Sequence, residues 1–220
     1  MVKITLPDGS ILEVQNSTTA QQIAEKLSPK LAKQAIAVQI DGQIVDLNTP
    51  INTDTSLKII TSKDPEGLVI MRHSCAHIMA EAICSLWPQT KLVYGLAVED
   101  GFYYDIDLDE PIRPTDFERI EQKMQEIVKA DKPFIRKEMS RKDALAKLAA
   151  DKYKTDNINR AEGDTISFYS QGEGFEDLCR GPHIPSTGKV GSFKIMSVAG
   201  AYWHGDPCLS YTSPSPRDCS

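Results

Sequence analysis

The chain has 220 residues, of which 40% are hydrophobic and 25% charged, a composition typical of globular proteins and unlike that of disordered or collagen-like chains. A net charge of −6 argues against a protein that coats nucleic acid through bulk positive charge. No stretch approaches the ~18 consecutive apolar residues of a membrane-spanning helix, and the first residues lack a signal-peptide pattern. Five cysteines at irregular spacing indicate free thiols. We therefore expect a cytoplasmic protein with no membrane partner.

The first sixty residues predict a small domain of their own. Thr19 and Gln22 have the spacing of a capping box, so a helix should begin there and stop at Ser28 and Pro29. Alternating apolar residues and turn signals predict a hairpin before this helix and strands after it. The predicted strands are residues 2–6, 11–14, 35–40, 43–46 and 57–61. This order is that of a β-grasp, ubiquitin-like domain at residues 1–62, which has no His or Cys and is expected to be a binding or docking element.

A polar stretch with Pro65 and Gly67 predicts a boundary, followed by a second domain at residues 63–207. Apolar residues recur at helical spacing over residues 68–87, so that segment should be a helix. The later predicted elements are a strand pair within 94–107, a helix over 114–128, a strand at 133–139, a helix from Ser140 to about 150 and a strand at 165–169. The fold class is therefore α+β, with an antiparallel sheet and packed helices. Residues 208–220 lack apolar periodicity and are expected to be a disordered, non-native tail.

Two pairs of metal-ligating side chains share the same spacing. His73 and His77 are four residues apart on the predicted helix, which places both imidazoles on one face. Cys179 and His183 repeat that gap across Gly and Pro, which specify a loop. Asp177 lies two residues before Cys179, on the same face of an extended strand.

These pairs leave two kinds of chemistry open. Three imidazoles and one thiolate (His73, His77, Cys179 and His183) form a set that can close a tetrahedral zinc site. The other interpretation is a metal-free hydrolytic pocket in which the imidazoles and the thiol orient water and move protons near neutral pH. Spacing alone does not choose between them. For Lys154, sequence alone favours a solvated charge.

Four motifs resemble the amino-terminal half of threonyl-tRNA synthetase. They are the HxxxH motif from His73 to His77, the segment from Gly101 to Asp105, the Cys-Arg-Gly-Pro-His motif from Cys179 to His183, and the segment from Ala199 to Trp203. The first domain is similar to the TGS module of that family. The resemblance covers residues 1 to about 207, and a looser form of the HxxxH and Cys-Arg-Gly-Pro-His signature occurs in alanyl-tRNA synthetase and its freestanding editing relatives.

The resemblance implies an editing domain that hydrolyses seryl-tRNA(Thr) made in error. His73 is implied to contact the terminal ribose and shuttle protons with support from His77, and Lys154 with Tyr104 is implied to hold the attacking water. Asp177 is implied to bind the substrate ammonium group, while Cys179 and His183 shape the serine end of the pocket. No metal or other cofactor is expected in this threonyl-type site. A zinc site of the alanyl type is the alternative.

The family continues into an aminoacylation domain, where ATP and zinc are expected, and into an anticodon-binding domain. Neither fits in this length, so we expect no charging activity. The expected partner is the acceptor end of tRNA(Thr), touched by a basic segment at 132–154 with eight basic and three acidic residues, Arg141 and Lys142 among them. A non-catalytic RNA-binding regulatory module is the alternative from another class. His204 is assigned no role.

Overall fold

The computed structural model describes residues 1–203 and 206–212, and for residues 201–203 and 206–212 it describes the backbone alone. The chain divides into two compact units. The first is Met1–Met71 together with Gly181–Pro185, and the second holds the other described residues. The predicted boundary after residue 62 therefore differs from this division, which falls between Met71 and Arg72. The reason is that the first turns of the long helix pack tightly on the first unit, since a Cβ on Gly67 would lie 2.0 Å from the Thr61 carbonyl oxygen.

The first unit is the predicted β-grasp. Its strands and helices are β1 (Val2–Thr5), β2 (Ile11–Val14), β3 (Thr18–Thr19), α1 (Ala20–Leu27), α2 (Pro29–Gln34), β4 (Ala35–Ile40), β5 (Gln43–Asp46), β6 (Pro50–Ile51) and β7 (Thr55–Thr61). Five strands form a sheet in the order β2-β1-β7-β4-β5, in which β1 and β7 are parallel. Helix α1 contributes Ala20, Ile23 and Ala24 to the buried core. The fold class predicted for this unit is confirmed.

Helix α1 begins as predicted and is followed by a helix that the sequence prediction missed. The Thr19 hydroxyl accepts from the Gln22 N–H, and the Gln22 side chain accepts from the Thr19 N–H. Ser28 does end α1, but its hydroxyl also accepts from the N–H groups of Lys30 and Leu31. Proline is favoured in the first turn of a helix, where its missing N–H costs nothing. The expected stop is therefore also the start of α2.

The second unit contains the greater part of a helix that begins in the first. Its elements are α3 (Pro65–Leu86), β8 (Lys91–Val98), β9 (Gly101–Asp107), α4 (Phe117–Lys129), β10 (Phe134–Ser140), α5 (Arg141–Lys147), α6 (Lys152–Arg160), β11 (Thr165–Gln171), β12 (Phe175–Leu178), β13 (Gly200–Trp203) and β14 (Asp206–Thr212). All ten residues from 74 to 83 in α3 are buried, as expected of a helix with apolar residues on every side.

Two antiparallel sheets position the candidate site. One has the strand order β13-β14-β9-β8 and the other the order β10-β11-β12. Ile166 and Phe168 of β11 form a core with Ala144 of α5 and Ile158 of α6 on one face of the second sheet. Tyr169 and Asp177 are register partners on the opposite face. The two faces of this sheet therefore serve packing and polar chemistry respectively.

Two expectations need correction. Helix α6 was missed, because the polar run from Asp151 onward hides an N-cap: the Asp151 carboxylate accepts from the N–H groups of Tyr153 and Lys154.

The predicted tail began at residue 208, whereas Asp206–Thr212 is a strand whose backbone pairs with β9 and β13. A strand at the edge of a sheet has unpaired backbone N–H and C=O groups, and the edge of β9 therefore favours such pairing. Residues 204–205, with His204, and 213–220 lie outside the described part of the chain.

Within the described residues, no helix combines the length and apolarity needed to cross a membrane.

Candidate active site

Helix α3 carries two of the four histidines on one face. The ring centroids of His73 and His77 are 5.2 Å apart, with the rings nearly perpendicular. His77 is buried, at 3% exposed. Burial lowers its pKa to about 3, although the nearby Asp177 carboxylate opposes that shift. His77 is therefore a neutral imidazole near neutral pH.

The structure brings Cys179 to His73 across 106 positions of sequence. The Cys179 sulfur lies 3.3 Å from Nε2 of His73. Two contacts to Ser167 of β11 hold Cys179: its N–H donates to the Ser167 carbonyl oxygen at 3.1 Å, and its own carbonyl accepts from the Ser167 hydroxyl at 2.6 Å. These bonds continue the β11–β12 pairing past the end of β12, so the sheet fixes the thiol next to the imidazole.

A buried ion pair lies in the same unit. The Lys154 ammonium is 2.5 Å from Oδ1 of Asp177, and the two side chains are 6% and 3% exposed. The Tyr104 hydroxyl donates to Oδ2 of the same carboxylate. Lys154 also lies 3.4 Å from the Tyr104 hydroxyl. Lys154, Asp177 and Tyr104 thus form one hydrogen-bonded triad, which we call the buried triad, and the expectation of a solvated Lys154 is wrong.

The charges of the buried triad follow from its contacts. Burial by itself raises the pKa of Asp177, but the Lys154 charge and the hydrogen bonds from Lys154 and Tyr104 outweigh it, so the pKa is lowered overall. Burial and the Asp177 charge raise the pKa of Tyr104 well above its usual value. The carboxylate is therefore ionised and the phenol protonated at neutral pH.

Helix α6 and β9 hold the buried triad in place from two sides. The N-cap at Asp151 fixes the first turn of α6, which carries Lys154. The Tyr153 hydroxyl donates to Asp107 at 2.8 Å, which ties α6 to β9. The Asn157 amide donates to the Val93 carbonyl at 2.8 Å, which ties it to β8. The histidine face of α3 is close as well, since the His77 and Tyr104 ring centroids are 6.0 Å apart.

A metal ion would find three ligands at one place. The potential ligand atoms of His73, His77 and Cys179 lie within 4.8 Å of one another, and two imidazoles with a thiolate suit zinc. His183, the fourth residue of the predicted zinc set, is buried in the segment Gly181–Pro185, which belongs to the first unit. Its N–H donates to the Asp46 carboxylate there at 2.9 Å.

Sequence reasoning missed two residues that support the histidine helix. The Gln171 amide donates to the His77 carbonyl oxygen at 3.1 Å and is 1% exposed. Glu81, one turn after His77, pairs with Lys132 at 2.5 Å. The spacing of Glu81 from His77 was a signal in the sequence, since both lie on one helix face. Nothing local in the sequence marks Gln171.

The basic segment at 132–154 is mostly occupied by contacts within the protein. The Arg141 guanidinium donates to the carbonyls of Ile158, Ala161 and Gly163, which follow one another around the end of α6. Lys147 pairs with Glu176, and Lys154 is buried. Arg141 is therefore a capping residue, so it is a poor choice for the RNA contact expected of it. Lys142 is exposed.

Two family models and several curated relatives match parts of the chain. Residues 2–61 match the family model of the TGS domain. Residues 166–207 match the model named threonyl and alanyl tRNA synthetase second additional domain. The chain is 52% identical to the threonine–tRNA ligase of Desulfatibacillum aliphaticivorans over 206 residues, which is 94% of this chain and 32% of that protein. Over that shared part the chain is similar to threonine–tRNA ligases.

Other relatives give the same extent of similarity. The threonine–tRNA ligase 1 of Bacillus subtilis is 49% identical over 209 residues, and that of a Geobacillus strain is 50% identical over 209 residues. Each alignment covers 94% of this chain and 32% of the relative. The chain thus spans about a third of the length of the curated relatives it matches. This third holds the TGS domain and the second additional domain, and the predicted family resemblance is confirmed.

Proposed function

We propose that this chain hydrolyses the ester bond of seryl-tRNA(Thr), with the acceptor end of that tRNA as its partner. The single observation that carries the proposal is the buried triad next to the His73 and Cys179 pair. An ion pair taken out of water costs free energy unless it is well hydrogen-bonded. Such a group, held by β9, β12 and α6 beside two imidazoles and a thiol, is a candidate hydrolytic site.

The chemistry of serine and threonine explains the need for a second site. The two amino acids differ by one methyl group, and a group of that size changes binding by only about 1–3 kcal/mol, or roughly 10–200-fold. A site that attaches threonine to the tRNA therefore also accepts serine. A separate site too small for the extra methyl removes the product that carries serine.

Counting hydrogen bonds assigns roles within the buried triad. A lysine ammonium has three donors, of which Lys154 gives one to Asp177 and one to Tyr104. Within the described residues the third donor has no acceptor, so it remains for the attacking water. A carboxylate has about four acceptor positions, and Asp177 uses three, on Lys154, Tyr104 and the Leu178 N–H. The fourth remains for the α-ammonium group of the substrate.

The reaction is attack of the held water on the ester carbonyl carbon. The bond from that carbon to the ribose oxygen breaks, and the ribose oxygen takes up a proton as it leaves. His73 takes the proton that the attacking water loses and gives it to the ribose oxygen, and its ring is held by Cys179 at 3.3 Å. Neutral His77 supports His73 from the next turn. Proton transfer by a positioned group contributes about 10²–10⁴-fold.

The experiment is a comparison of His73→Ala with the unaltered chain on seryl-tRNA(Thr). The expected result is a loss of about 10²–10⁴-fold in the rate of serine release. Gln89→Ala, on the exposed turn after α3, is the control and should keep the full rate. An unchanged rate in His73→Ala contradicts the proposal. His183→Ala tests separately whether His183 binds substrate as the resemblance predicts.

The second candidate is a zinc-dependent deacylase of the alanyl type, favoured by the clustered ligand atoms of His73, His77 and Cys179. Zinc bound to these side chains would lower the pKa of a ligated water and so supply a nucleophile. Neutral His77 is in the protonation state that metal binding requires. Metal analysis of the purified chain distinguishes the two candidates: one zinc per chain, with activity lost to a chelator, favours the zinc enzyme.

A further inference from the structure

Strand β8 makes a close approach to the ring of Tyr104. Gly95 of β8 and Tyr104 of β9 are direct register partners in the antiparallel pair. A Cβ built on Gly95 would lie 2.6 Å from both Cδ2 and Cε2 of the Tyr104 ring. Carbon atoms in ordinary contact are 3.5–4.0 Å apart. The ring therefore occupies the space that any other residue at position 95 would need.

The Tyr104 ring is also held by contacts away from β8. It is 1% exposed, its hydroxyl donates to Asp177, and the His77 ring meets it at 6.0 Å. The Lys154 ammonium lies 5.8 Å from the ring centroid. A contact on the strand side would push the ring by about 1 Å, which is the difference between the built and the ordinary distance.

We infer that Gly95 is a positioning residue of the candidate active site, because its missing side chain lets the Tyr104 ring lie across β8 with its hydroxyl between Lys154 and Asp177. This inference rests on the proposed function for its catalytic part and on geometry for the rest. Glycine inside a strand marks a place where another group approaches the backbone closely. Here that group belongs to the buried triad.

Displacement of Tyr104 should lower the reaction rate, because Tyr104 and Lys154 hold the water in the proposed reaction. A shift of about 1 Å in a positioning group costs up to about 10²-fold in rate. Gly95→Ala should therefore lower the turnover rate of seryl-tRNA(Thr) by about 10²-fold and leave KM within about threefold, since the groups that bind the ribose and the ammonium stay in place.

The matched control is Gly174→Ala. Gly174 is exposed in the turn between β11 and β12, and a Cβ there would meet nothing within 4 Å. This variant makes the same chemical change in the same unit and should keep the full rate. If Gly174→Ala and Gly95→Ala lose the same activity, the effect is general to glycine replacement and the inference fails.

A double-mutant comparison tests whether Gly95 acts through the Tyr104 hydroxyl. In a Tyr104→Phe background the hydroxyl is already gone, so adding Gly95→Ala should change the rate by less than about twofold. A further loss as large as in the unaltered chain overturns the inference. If Gly95→Ala does not fold, a second comparison uses the single variant Tyr104→Ala and the double variant that adds Gly95→Ala to it. Removing the ring makes room for the new methyl group, so the double variant should fold. Equal melting temperatures for these two support the inference, and a large deficit in the double variant overturns it.

A crystal structure of Gly95→Ala separates this inference from the proposed function. Displacement of the Tyr104 hydroxyl away from Asp177 supports the inference even if the unaltered chain releases no serine, and in that case the proposed function alone has failed. An unmoved Tyr104 hydroxyl overturns the inference whatever the activity.

Discussion

Lys154 and Asp177 form an ion pair of 2.5 Å in which both side chains are almost fully buried. Removing one charge of such a pair leaves the other buried without compensation, which costs about 3–5 kcal/mol of folding free energy. The pair also carries the water and the ammonium sites of the proposed reaction. Stability and activity are therefore expected to respond together to changes at these two positions.

The first prediction concerns that coupling. Asp177→Asn should lower the free energy of unfolding by about 3–5 kcal/mol, measured by urea denaturation, and should abolish serine release. Lys154→Met together with Asp177→Asn removes both charges and should regain part of the stability but none of the activity.

The control for this prediction is Asp156→Asn. Asp156 pairs with Arg160 at 3.0 Å on the surface of α6, where such pairs contribute about 0–1 kcal/mol. If Asp177→Asn and Asp156→Asn destabilise the protein equally, the buried pair does not have the energetic role assigned to it.

The second prediction separates structure from RNA contact in the basic segment. Arg141→Ala should lower the free energy of unfolding by about 1–3 kcal/mol, because the guanidinium donates to carbonyls at the end of α6. The neighbouring Lys142→Ala should stay within about 0.5 kcal/mol. Thermal and urea denaturation of the two variants make the measurement, and equal stability of both would contradict the capping role of Arg141.

Much of the fold follows from local sequence signals. The capping box at Thr19 and the apolar period of α3 are short-range patterns, and each predicts its helix. The strand pair expected within 94–107 is also present, although β8 begins earlier, at Lys91. The helices that were missed also have local caps, at Ser28 and Asp151, but their apolar periods are too short to indicate a helix by themselves.

The candidate site was predictable only in part. His73, His77 and Cys179 could be grouped because matched spacings drew attention to them. Only the family resemblance pointed to Lys154. Its local sequence did not, since a lysine on a polar helix is ordinarily solvated, and its burial depends on Asp177 and Tyr104, which are distant in sequence. Gly95 was equally hidden, because its role depends on a register partner in the neighbouring strand.

A third prediction concerns the thiols. Burial raises the pKa of Cys75 to about 12, and its side chain is 4% exposed. Because only the thiolate reacts, iodoacetamide at pH 8 should alkylate Cys75 in the folded protein about 10³-fold more slowly than in urea. Peptide mass mapping gives both rates. A folded-state rate equal to the rate in urea would show that the middle of α3 is not packed as described.

A comparison of two substrates tests the proposed editing activity most directly. The unaltered chain is incubated with seryl-tRNA(Thr) and with threonyl-tRNA(Thr) in separate reactions, and the released amino acid is measured over time. We expect fast release of serine, with threonine released at least about 10²-fold more slowly because its methyl group does not fit. Equal release of both amino acids, or binding of both tRNAs with release of neither, contradicts the proposed activity.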